Sequence, residues 1–158
     1  MRSTVLVGLV GMFAVAAAAR GQEPPAPAVA EGYVWAEACK DCHAPIYEAW
    51  SKTKHARAIA RLGGDQRQAG SACIGCHVTG PREPVMADRT MVNANVQCES
   101  CHGAGKAHVE AARAGNAAGA RLVKSPPESV CQTCHNEKSP HYRGFFYTAL
   151  KGLVHKVS

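Results

Sequence analysis

The chain's 158 residues suffice for one domain and are too few for two independent cores. A formal charge of +6 and a pI near 9.0 would on their own admit a nucleic-acid or anionic-membrane partner. Composition excludes an ordinary aliphatic core: from Gln22 onward there are four Leu, three Ile, two Phe and eleven Val, about 15% of that stretch, so something else must fill the interior.

Along the chain, Arg2 precedes an apolar run from Val5 to Ala19, and Ala17, Ala18 and Ala19 offer small residues for cleavage. Residues 1–21 therefore read as an export signal, too short for a good membrane span, and place the mature chain in the periplasm or otherwise outside the cytoplasm without stable membrane insertion. Residues 22–33 read as a Pro/Ala-rich linker, and 34–158 as the working domain. Cys39-Lys40-Asp41-Cys42-His43 runs into Pro45, which suits a helix start; Ile46, Ala49 and Trp50 recur at helical spacing, predicting a helix that carries on to His55 and ends by Gly63-Gly64.

The second cluster, Cys73-Ile74-Gly75-Cys76-His77, is followed by Val78-Thr79-Gly80-Pro81 and an irregular stretch to about Val96, expected to be an exposed loop. The third, Cys98-Glu99-Ser100-Cys101-His102, precedes a short predicted helix from Lys106 to Ala114 and an Ala/Gly-rich stretch to Ala120. Ser125-Pro126-Pro127-Glu128 opens a helix into the fourth, Cys131-Gln132-Thr133-Cys134-His135, and Phe146, Leu150, Leu153 and Val154 predict a terminal helix holding His155. The Cys-to-Cys offsets of 34, 25 and 33 residues are too unequal for a regular solenoid.

All eight cysteines fall in these four Cys-x-x-Cys-His units. Two thiols three residues apart can add to the two vinyl groups on one edge of a haem, and the next imidazole then reaches the iron as proximal ligand. Disulfides, zinc sites and redox dithiols also use paired cysteines, but four copies with histidine always in the same place favour covalent haem c, four per chain. Haems would also supply the missing core, since even an aromatic side chain buries only about 150–250 Å² and a macrocycle is larger. The haem-free chain is then expected to be largely unfolded. Eight propionates, about −8, and four ferric porphyrins, about +4, cancel most of the basic charge, so nucleic acid is not expected as a partner.

Four histidines lie outside the units: His55, His108, His141 and His155, one for each iron. A lone extra histidine is ordinarily a surface or satisfied core residue; four in a four-haem chain are candidates for distal ligation, His141 the weakest. Met86 and Met91 are the alternative axial ligands, read here as packing residues.

The residues around these units resemble the tetrahaem cytochrome c-554 family, small periplasmic electron shuttles. The likeness is carried by Tyr33 with Cys39 to His43, Tyr47, Trp50 and His55-Ala56; by Cys73 to Gly80; by Gln97 to Gly103 with His108-Val109; and by Cys131 to His135 with Ser139-Pro140-His141. It implies a compact multihaem cytochrome c fold, mainly α with extensive loops and little or no sheet, with haems stacked in pairs. It also implies crossed ligation: His108 on the first haem, His55 on the third, His155 on the fourth, and a five-coordinate second haem. His141 then either closes the second site or lies on the surface.

The leading functional expectation is electron transfer between a redox donor and an acceptor through mostly bis-histidine haems, with no catalytic residue assigned. A reductase acting on a small nitrogen oxide at an open second haem is the alternative. A third reading is a homo-oligomeric cytochrome wire in which His141 ligates a neighbour's iron.

Overall fold

The computed structural model describes residues 31–156; the expected export signal and residues 22–30 of the expected linker lie outside them. Helix α1 spans Trp35–Ser51, bent at His43, whose φ of −121° and ψ of 38° are not helical. The bend separates two helical segments. Pro45 sits two residues beyond it, where its missing N–H and its ring cost the second segment nothing. The amides at the start of α1 are satisfied from far along the chain: Glu99 accepts from Val34 and Trp35 N at 3.0 and 2.8 Å, and Gln97 Oε1 accepts from Ala36 N at 2.6 Å.

The helix stops at Ser51, short of the expected His55. Thr53 N donates back to Trp50 O, and Thr53 Oγ1 accepts from Ala56 N, so the hydroxyl opens a new turn where the helix would have continued. Three short 3₁₀ turns follow, His55–Arg57, Ile59–Arg61 and Asp65–Arg67. Ala58 and Leu62 are buried, and Leu62 packs with Ile74 and Val78 in a small apolar cluster flanked by Ile59, Cys73 and Met91.

The stretch from Val78 to Val96 is not the exposed loop expected. Thr79 and Asn93 are completely buried, and Val78 and Val85 are buried as well. Asn93 Nδ2 donates to the carbonyls of Thr79, Pro81 and Glu83, at 3.2, 3.4 and 2.8 Å, while its Oδ1 accepts from Val85 N at 2.8 Å. Thr79 Oγ1 donates to Asn95 O and accepts from Gln97 N. Side chains here do what a strand ladder does elsewhere, satisfying buried backbone groups. The pairing among named strands is one antiparallel hairpin, β1 (Met86–Ala87) and β2 (Thr90–Met91), with Met86 opposite Met91. Gly80, at φ +74°, would put a Cβ 2.9 Å from the Tyr33 ring, so only glycine allows that approach.

Beyond this knot come α2 (Glu99–His102), α3 (Lys106–Arg113), α4 (Glu128–Gln132) and α5 (Tyr147–Leu150), the last running into a 3₁₀ turn, Lys151–Leu153, just before His155. The fold is mainly helical and loop-rich with one small sheet, as expected. No described helix is long and apolar enough to cross a membrane.

Candidate haem sites

Each Cys-x-x-Cys-His unit occupies a tight helical turn, which brings its two thiols to one side and sends the histidine off the end. The first closes the leading segment of α1, with His43 at the bend. The second is the 3₁₀ turn Ile74–Cys76, the third α2, and the fourth α4 with the turn that follows, where Cys134 N donates to Cys131 O.

Three of the four unit histidines face a histidine from elsewhere in the chain. His43 and His108 have ring centroids 6.3 Å apart with planes at 15°, His102 and His155 6.0 Å apart at 27°, and His55 and His135 5.9 Å apart at 60°. An imidazole nitrogen binds a first-row metal at about 2 Å, so one iron held between two rings sets their centroids about 6 Å apart. The residues therefore fit a bis-histidine iron at three places. His77 has no histidine ring paired with it among the described residues.

The second nitrogen of several rings is fixed by the backbone. Nδ1 of His77 lies 2.7 Å from Ala58 O, that of His102 2.5 Å from Val123 O, and that of His108 2.9 Å from Ala120 O. A carbonyl can only accept, so Nδ1 carries the proton and Nε2 keeps its lone pair for a metal. His135 is held differently, by Phe145 stacked on it at 4.8 Å and 19°. Burial holds His55 below the ordinary histidine range, with the charge of His135 adding to the effect; burial alone lowers His135. Both imidazoles are thereby kept neutral, the form that ligates.

All eight thiols are free of disulfide bonds. The Cys39 thiol is pushed far up by its hydrogen bond with Cys98 and by burial, Cys76 is raised by burial and by Cys134, and burial lifts Cys101 to about 11. Cys98 is lowered by that same bond with Cys39. The proximity of these thiols joins units in pairs: first with third through Cys39 and Cys98, second with fourth through Cys76 and Cys134.

Two expected pairings are reversed. His55 faces the fourth unit and His155 the third, whereas the resemblance implies the opposite; His55 reaches His135 because the turn at Thr53 takes it off α1, and His155 follows α5 back to α2. His108 faces the first unit, as implied. His141 is exposed and has no ring partner among the described residues. Met86 is exposed and Met91 packs on the apolar cluster. Sequence reasoning passed over Glu99, a buried carboxylate inside the third unit that caps the helix carrying the first and also accepts from Gly105 N at 2.7 Å. An acid between two attachment cysteines was the available signal. Phe145 was missed too, with only its neighbour Phe146 noted.

Residues 38–103, the span of the first three units, match the model of the family described as cytochrome c554 and c-prime. Over that stretch, under half of its length, the chain is similar to the c-type cytochromes. No curated protein matches this chain. A solved structure similar to it is that of the outer cell wall cytochrome OcwA, at 22% identity and a TM-score of 0.44, over 66% of this chain and 37% of that one. The chain thus spans little more than a third of that protein's length. The first three units lie within the family match, and the fourth lies beyond it.

Proposed function

We propose that this cytochrome is exported, carries four haems on Cys39/Cys42, Cys73/Cys76, Cys98/Cys101 and Cys131/Cys134, and relays electrons between a donor and an acceptor protein. His43, His77, His102 and His135 are the proximal ligands. His108, His155 and His55 are the distal ligands of the first, third and fourth haems, and the second haem has an open face. The observation that carries this reading is the set of three histidine pairs at 5.9–6.3 Å beside one unpaired unit histidine.

Each haem supplies a one-electron store whose potential its ligands and surroundings set. The protein's part is to hold the rings. Backbone carbonyls at Ala58, Val123 and Ala120 fix three imidazoles by accepting from Nδ1, and the Phe145 stack fixes a fourth. Bis-histidine sites have no free position, which suits relay over binding. The closeness of Cys39 to Cys98 and of Cys76 to Cys134 supports an order in which the first and third haems form one close pair and the second and fourth another, with Cys101 near the cysteines of the fourth unit.

A second reading follows from His77. An iron there with one protein ligand can bind a small molecule, and a nitrogen oxide is the chemical class expected. Quantifying spin states in the oxidised protein and titrating the reduced protein with carbon monoxide tests both readings. The expected result is four haems by mass, three irons low-spin, one high-spin, and one carbon monoxide bound per chain. Four low-spin irons that bind no carbon monoxide would remove the small-molecule reading and leave relay. Fewer than four haems by mass would remove the proposed site set.

A further inference from the structure

The cytochrome's positive charge is concentrated on one segment. The described residues hold sixteen Lys and Arg against eleven Asp and Glu; five of the sixteen and one of the eleven fall within residues 52–67, leaving eleven against ten over all the rest. The five, Lys52, Lys54, Arg57, Arg61 and Arg67, are all exposed. None has an ion-pair partner among the described residues, where the ion pair present joins Arg113 to Asp41.

This segment is a fixed ridge. Ala58 and Leu62 are buried beneath it, Ile59 N donates to Asn95 Oδ1 at 3.0 Å, and Val96 N donates to His55 O at 3.1 Å. Arg57 Nη2 and Arg67 Nε donate to the ridge's own carbonyls at Lys52 and Leu62, which orders two of the charges. The apolar residues point into the cluster around Ile74 while the bases point out, so the charges are presented at little further entropic cost.

The ridge also lies against two of the iron sites. His55, within it, faces His135, and Ala58 O accepts from the ring of His77. A partner seated there would meet the second and fourth sites. Arg121 and Lys124 lie instead beside the first and third sites, next to Ala120 and Val123, whose carbonyls accept from His108 and His102, and Lys106 opens the helix that carries His108.

We infer that the ridge 52–67 is the docking surface for an acidic redox protein, which exchanges electrons through the second and fourth haems. This rests on the relay reading. Opposite charge on a partner steers encounter and raises association rates by about 10- to 1000-fold, an effect that salt removes. One electron passes from the partner's reduced centre to a ferric haem, leaving the partner oxidised and the iron ferrous, with no other bond made or broken.

The test is stopped-flow reduction of the oxidised holo-cytochrome by two donors, a plant-type ferredoxin, which is acidic, and reduced lumiflavin, which is small and neutral. Three proteins are compared: wild type, a ridge variant (Lys52→Glu, Lys54→Glu, Arg61→Glu) and a control variant (Lys106→Glu, Arg121→Glu, Lys124→Glu). The wild-type ferredoxin rate should fall as salt rises. The ridge variant should react with ferredoxin at least about tenfold more slowly at low salt, with little salt dependence, and with lumiflavin at the wild-type rate. The control variant should stay within about threefold of wild type with both donors. Glutamines in place of the ridge glutamates should give an intermediate loss.

Equal slowing in the ridge and control variants would reduce the effect to net charge and overturn the inference. A ridge variant slowed with lumiflavin as well, or altered in its haem spectrum, would mean that the ridge holds the cytochrome's own haem carboxylates. Wild type reduced by lumiflavin and not by ferredoxin would overturn the docking alone. Reduction by neither donor would overturn the relay reading along with it.

Discussion

From Ala36 to Gly105 the chain holds every buried residue described, apolar ones around Ile74 and polar ones around Asn93. From Lys106 to Lys156 it holds none, although that stretch carries an attachment unit, three helices and two histidines that face other units. The first region is closed by polypeptide: Asn93, Thr79, Gln97 and Glu99 satisfy backbone groups from residues 34 to 105. In the second, Phe146, Leu150 and Leu153 are exposed. Apolar side chains left outside a core need a cover, and the proposed fourth haem would supply one. With the proposed haems bound, the two regions would depend on them to different degrees, and the family match falls on the region that would depend on them less.

The largest effect expected is on that difference. Cys131→Ala with Cys134→Ala, which removes the fourth haem's anchors, should cut amide protection over residues 128–153 on the order of a hundredfold. Amides inside the polar knot, such as Thr79 N bonded to Asn93 O at 2.8 Å and Asn95 N bonded to His77 O at 3.0 Å, should keep theirs within about threefold. Hydrogen exchange read by mass spectrometry reports both. A uniform loss would show that the first region has no stability of its own, the state expected from composition alone.

Asn93→Ala attacks the other side of the comparison. It strands the buried Val85 N–H and withdraws the donor shared by three carbonyls. The expected cost is roughly 3 kcal/mol in denaturant unfolding of the holo-protein, confined to the first region. A cost under about 1 kcal/mol would mean that water replaces the side chain and the knot is looser than drawn.

That each unit would sit on a single turn was legible because its spacing is local: two thiols and an imidazole within five residues need no tertiary knowledge. The helix after the third unit was legible for the same reason, expected to Ala114 and found as Lys106–Arg113. The polar knot was not. Asn93 and Thr79 act on backbone up to 18 residues away, and such bonds leave neither a 3.6 nor a 2.0 residue period. Nor does order along the chain say which ring faces which, so the resemblance had His55 and His155 exchanged. Only the turn at Thr53 and the return of α5 decide it.

That exchange can be checked through Phe145, whose ring lies on His135 and should sense the spin state of the fourth iron. His55→Ala should convert one haem to high spin and shift the Phe145 ring resonances. His155→Ala should convert one haem and leave those resonances in place, and His141→Ala should change neither. The opposite assignment predicts that His155→Ala moves Phe145.

The smallest effect belongs to the bend in α1. Tyr47, beyond His43, donates its hydroxyl to Glu37, before it, so the bond clips together the two segments on either side of the first proximal histidine. That bond, with burial and the Glu37 charge adding to it, pushes the Tyr47 phenol up to about 12. A raised phenol pKa favours the protonated form in the folded state, so its contribution to stability is fully present below the ordinary value near 10. It is lost as pH climbs from there through about 12. Carbon-13 labelling at Cζ of the four tyrosines should reveal one that titrates near 12, returning toward the ordinary value in Glu37→Gln. Tyr47→Phe should cost less than about 1 kcal/mol, because an exposed bond competes with water. If Tyr47 instead titrates with the others in the native protein, the clip is open in solution, and Pro45 with the capping of α1 by Glu99 must hold the bend at His43 without it.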